Sequence, residues 1–161
     1  MCNGQEGSPW TDTGKLPSGA QETGTWAFTR SVEKITTEVE GTKEEITVGD
    51  SGKIIIPISF PIPLAGALQA EKVHISTEGN FATFCEGSAA APEAINSGEL
   101  CVFFNTSDPA PVETTLIGVC KTASAVASCN QTRGASPTGA LMVFSEPTGD
   151  AYASGTFAVK G

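Results

Sequence analysis

The chain has 161 residues, 39% of them apolar, and a formal net charge of −9 from 18 acidic and nine basic side chains. That length suits one domain built on one core. So few basic residues in an acidic chain argue against nucleic acid and anionic membrane surfaces as partners, and no run approaches the roughly 18 apolar residues of a membrane-inserting helix.

The opening MCNGQEGSPW has neither the basic start nor the apolar stretch of a signal peptide. Residues 1–21 are rich in Gly, Ser, Thr, Pro and Gln, with little to bury, and read as a flexible arm ahead of a domain spanning 22–161. Gly4-Gln-Glu and Gly7-Ser-Pro are successive Gly-X-Y triplets, the repeat a collagen-type helix demands because only glycine fits its axis. Trp10 lies in this arm, placed for contact with another chain or with the domain surface.

Gly24–Arg30 alternates, with Trp26 and Phe28 on one face, and predicts a half-buried strand whose Trp26 packs in the core. Ser31–Asp50 is charged. Ile35 and Val39, then Ile46 and Val48, alternate around Glu40-Gly41, which favours an exposed hairpin over a helix. Its acidic residues match no calcium loop and read as a solvated face.

Lys53–Ser76 is the most apolar stretch. Ile54, Ile55 and Ile56 are β-branched and favour a strand. Pro57, Pro61 and Pro63 exclude a helix and a fully paired central strand. A polyproline-like segment, a helical turn over Leu64–Ala70 and a strand over Lys72–Ser76 are expected to follow. His74, the only histidine, should face away from Val73 and Ile75. It reads as a structural or solvent-facing residue, since no Gly-x-Ser-x-Gly elbow supplies a nucleophile for a hydrolytic triad.

Asn80–Cys85 predicts a short strand, Glu86–Glu99 a loop, Leu100–Phe104 a buried strand, Asp108–Pro111 a turn, and Val112–Cys120 another strand. Thr122–Thr138 reads as irregular, and Ala140–Phe144 and Gly155–Val159 as the last strands. Asn105-Thr-Ser107 and Asn130-Gln-Thr132 match the N-glycosylation pattern by composition alone. Eight to ten short strands and almost no helix point to an all-β single domain, a β-sandwich or jelly-roll-like fold.

The five cysteines lack zinc-site spacing. Disulfides Cys85–Cys101 and Cys120–Cys129, with Cys2 left over, are the expected arrangement, and reduced buried cysteines the alternative. Closing the first loop would contribute ~3 kcal/mol. The residues point to no catalytic group, no metal ligand and no cofactor, since P-loop and Gly-x-Gly-x-x-Gly patterns are absent. Trp10, Trp26 and Tyr152 could form a sugar-stacking platform, with Trp10 and Tyr152 the better contact residues.

Glu22–Phe28, Ile58–Leu64, Val73–Ile75, Cys85-Glu-Gly, Gly98–Val102, Gly139–Phe144 and Ala153–Val159 occur in an order that resembles a family of secreted actinobacterial-type proteins. In that family a C-terminal β domain often follows a Cys-Asn-Gly element and a collagen-like segment. Cys2-Asn3-Gly4 and the two triplets match that junction. The resemblance spans scattered motifs over most of residues 2–161 and weakens over Ser31–Asp50. It implies a non-enzymatic extracellular or cell-surface head domain, structural or adhesive, forming a homotrimer if a Gly-X-Y stalk precedes it. It carries over no catalytic residue. The alternatives are a module binding a glycan or a surface protein, a hydrolase built around His74, and a viral or fibre head domain.

Overall fold

The computed structural model describes residues 14–31, 33–39, 41–48, 52–105, 116–121, 129, 133–145 and 150–161. They form two main sheets. The larger runs β1 (Gln21–Arg30), β11 (Ala151–Lys160), β8 (Leu100–Phe104), β5 (Val73–Ile75). The smaller runs β4 (Ile54–Ser59), β10 (Gly139–Phe144), β9 (Leu116–Cys120). Two hairpins complete the strands: β2 (Glu33–Val39) with β3 (Thr42–Val48), and β6 (Cys85–Ser88) with β7 (Ala91–Ala94). The fold is all-β.

One core joins the two sheets. Trp26, Leu100, Val102, Phe157 and Val159 face Ile58, Val119, Ala140, Met142 and Phe144, which makes the body a sandwich. Trp26 stands edge-on to Phe104 with ring centroids 4.9 Å apart, and Phe28 lies 4.8 Å from Phe144. The Trp26 indole N–H donates to the Thr156 carbonyl at 3.2 Å, so its polar edge is satisfied inside the core. Gly155 is required there: a Cβ would sit 2.0 Å from the Phe103 carbonyl and 2.5 Å from the Trp26 ring.

A second, smaller core lies on the outer face of the larger sheet. Cys101, Phe103 and Ala158 pack there against Cys85, Ala94, Phe81 and Phe84. The Cys85–Cys101 disulfide pins the β6–β7 hairpin to β8 across this core. Gln21 and Lys160 hold the same hairpin through the backbone of Pro92, Ala94 and Ile95. Cys120–Cys129 is the other bridge, so both expected pairings are present.

Several expectations need correction. The described end of the 1–21 segment is packed on the domain: Leu16 is buried in the main core, and Gly19 and Ala20 bond with Gly161. The helical turn falls on Ala70–Lys72, beyond Leu64–Ala70, because Leu64 and Leu68 are extended and bond to Pro137 and Ala135. Asn80–Cys85 is a short 3-10 turn over Phe81–Thr83, closed by bonds such as Phe84 N–H to the Phe81 carbonyl. Glu86–Glu99 contains the β6–β7 hairpin, where Gly87 takes φ +88 and would collide with the Ala91 carbonyl if it carried a Cβ. The turn at Asp108–Pro111 and the start of the strand expected from Val112 lie outside the described residues.

Pro57 does sit in a ladder, on the edge strand β4. Phe60 N–H donates to the Thr138 carbonyl, which directs the even-numbered residues of β4 to β10 and turns Pro57 to the open side. The hairpin expected within Ser31–Asp50 is present as β2–β3, with Gly41 at φ +77 in its turn. Among the described residues, no helix is long and apolar enough to cross a membrane.

Candidate functional site

The parallel pairing of β5 with β8 sets His74 opposite Cys101. Val73 and Ile75 point into the main core, so His74 faces the other side of the sheet, as its alternation predicts. That side is covered by residues 78–95 rather than by solvent, and His74 is 4% exposed. Glu99, just ahead of β8, lies on the same face and is 2% exposed.

These two buried polar side chains meet. His74 Nε2 is 2.5 Å from Glu99 Oε2, and Lys72 Nζ donates to Glu99 Oε1 at 2.8 Å. Both carboxylate oxygens are therefore occupied, which is the condition under which a buried carboxylate is tolerated. The imidazole stacks on Phe84 with centroids 4.1 Å apart and planes 6° from parallel. The hydrogen bond and charge of Glu99 raise the Lys72 amine above its ordinary value.

Beside this cluster, Arg133 Nη1 donates to Glu78 Oε1 at 2.6 Å, and the Ile75 N–H donates to Glu78 Oε2 at 3.1 Å. Burial pushes the Glu78 carboxyl up, but these two hydrogen bonds and the guanidinium charge outweigh it, leaving the carboxyl below its ordinary range. Arg133 Nε and Nη2 are buried without a hydrogen-bond partner. Together they form one edge of the guanidinium, the geometry that takes a carboxylate bidentately. Arg133, Glu78, Asn80, His74 and Phe84 line a cleft of about 430 Å³.

A Glu78 carboxyl lowered by Arg133 contributes stability above its unfolded value of 4.5 and loses it as pH falls through the lower folded value. We expect Arg133→Met to cost about 1 kcal/mol near neutrality, discounted for partial exposure. It should also flatten the stability profile on the acid side of pH 4.5. Urea titrations across that range read the effect directly. Parallel acid limbs for the variant and the parent would contradict it.

The other predicted site residues are scattered. Cys101 lies in register beside His74 and is bridged to Cys85 in the outer core, and Cys120 and Cys129 lie in a separate buried group with Val143. Tyr152 is partly exposed on the outer face of β11, in register with Thr29, away from the cluster. Trp26 is buried and unavailable for stacking on a sugar. Trp10, Cys2 and Asn130 lie outside the described residues. Glu99 was not among the residues the sequence singled out. Its one signal is that it shares the odd-numbered face of Cys101 and Phe103, which has meaning only once β8 is paired with β5. Against protein-family models, curated proteins and solved structures alike, the chain has no match.

Proposed function

We propose that the protein is a non-enzymatic, extracellular or cell-surface head domain with a structural or adhesive role, held at the end of a stalk and assembled there as a homotrimer. The observation that carries this reading is the polarity of β1. The chain enters the sandwich beside Gly161 at one end of β1. The charged β2–β3 hairpin follows from the other end, about 30 Å away along the strand. That layout suits a stalk-borne head, with attachment at one pole and a displayed element at the other. Two disulfides suit an oxidising compartment. The chemistry of His74 favours a structural role, because its Nε2 is committed to Glu99 and one ring face to Phe84.

Joining the chain to a host Gly-Pro-Pro repeat tests the assembly. A trimerising head should raise the refolding rate of the triple helix by about tenfold, since aligning three chains is the unfavourable step in its nucleation. Circular dichroism follows the rate and light scattering the mass. A stalk that refolds no faster with the head than without it would remove the trimer.

A second reading, a glycan- or protein-binding module, rests on the cleft that Arg133 lines, where two guanidinium nitrogens are buried without a partner and add positive charge to its wall. The ligand would carry a carboxylate, as in an acidic sugar. An array of uronate- and sialate-bearing glycans, probed with the parent and Arg133→Met, decides it. Hits lost in the variant would support this module, and an array without hits would end it.

A further inference from the structure

We infer that β1 is a self-pairing edge, through which two copies of this chain join antiparallel into one continuous sheet. Such a contact is isologous and two-fold, so it links heads of separate stalks and does not depend on the trimer.

Half of the backbone groups of β1 are spent on β11. Gly161 N–H donates to the Ala20 carbonyl, and the register runs unbroken from Gln21 opposite Lys160 to Arg30 opposite Ala151. The even-numbered residues of β1 therefore bond to β11. The N–H and C=O groups of Thr23, Thr25, Ala27 and Thr29 point away from it, toward the open side. These residues are exposed, and Thr23–Thr29 holds no charge and no proline.

The other edges are protected in recognisable ways. β4 turns Pro57 to its open side. β9 is covered by residues 133–134, with Gly134 N–H donating to the Val119 carbonyl. β5 is three residues long. The strands of the β2–β3 hairpin carry Glu33, Lys34, Glu38, Lys43, Glu44 and Glu45. Among the described edges of the two main sheets, only β1 offers a long open run, Thr23–Thr29, without charge or proline.

Its sequence is also complementary to itself. Antiparallel pairing that sets Thr25 opposite Ala27 of the second copy sets Thr23 opposite its Thr29. The same register sets Glu22 opposite Arg30 of the second copy, at both ends of the two-fold contact. Opposed residues in such a pair hold their Cβ atoms about 5 Å apart, close enough for unlike charges to favour the register. Within the chain Glu22 Oε1 accepts from the Ile62 N–H and Arg30 Nη1 donates to the Gly52 carbonyl, while Glu22 Oε2 is buried without a hydrogen-bond partner. The pairing thus has a preferred register as well as open donors and acceptors, which points to a second copy of the chain as the occupant.

Hydrogen exchange on the full chain tests this amide by amide. On raising the concentration from micromolar to millimolar, the amides of Thr23, Thr25, Ala27 and Thr29 should gain protection, while those of Trp26 and Phe28 are protected throughout. Sedimentation should show a dimer over the same range. Thr25→Pro removes one outward donor, as Pro57 does on β4, and should weaken the dimer by roughly tenfold while leaving the monomer's circular dichroism unchanged. A millimolar monomer would overturn the inference. So would a dimer in which those amides exchange as fast as in the dilute chain, whatever the fate of the proline variant.

Discussion

Glu99→Ala should destabilise the domain by about 4 kcal/mol, a large fraction of what a chain of this size has to lose. The truncation leaves the His74 imidazole at 4% exposure with no partner for its Nε2, and it releases Lys72. Breaking one side of a buried ionic contact costs far more than the contact contributes, because the surviving polar group stays desolvated. The informative companion is the double change Glu99→Leu with His74→Phe. It removes both polar groups together and places an apolar ring against Phe84. That variant should lie within about 1 kcal/mol of the parent. Urea denaturation of the two variants measures the difference. Equal losses in both would mean that packing at these positions, and not the unpaired histidine, sets the cost.

Phe144→Ala is the second large effect, expected at about 4 kcal/mol. Phe144 is 1% exposed and sits at the meeting point of the two sheets. Its ring lies 4.8 Å from Phe28, 6.0 Å from Trp26 and 6.2 Å from Phe104. Deleting it opens a void that none of these rings can close without leaving its strand. Phe144→Leu keeps much of the volume and should cost about half as much. Thermal denaturation followed by near-ultraviolet circular dichroism reads both the stability and the loss of the Trp26 signal. A full-length Ala variant with parental stability would show that the sheets are held elsewhere.

What could be foreseen in the chain follows the range of the forces involved. Alternation is local, so the strands around Trp26 and Phe28, Val102, and Met142 were legible, as was the hairpin turning at Gly41. The neighbouring cysteines paired as their order suggested. The β6–β7 hairpin was not legible, because Cys85-Glu-Gly-Ser and Ala-Pro-Glu-Ala have little strand propensity of their own. Their conformation comes from Gly87, the disulfide, and the reach of Gln21 and Lys160. The site was hidden for a related reason. His74 and Glu99 share a face only through a parallel pairing across the intervening hairpin, and no local pattern encodes that register. His74 alone read as solvent-facing or structural, and only its cover, residues 78–95, decides between the two.

The place of β11 has a consequence for how the chain reaches this state. It lies within the larger sheet in space, between β1 and β8, yet follows the other named strands in sequence. The Trp26 to Thr156 hydrogen bond alone spans 130 residues. Until Ala151–Lys160 has emerged, β1 and β8 have no strand between them, and the Trp26 indole lacks its acceptor at Thr156. The domain therefore cannot assemble progressively from its amino end. Its larger sheet closes only when β11 is in place, and contacts of such long sequence separation make folding slow for a domain of this size.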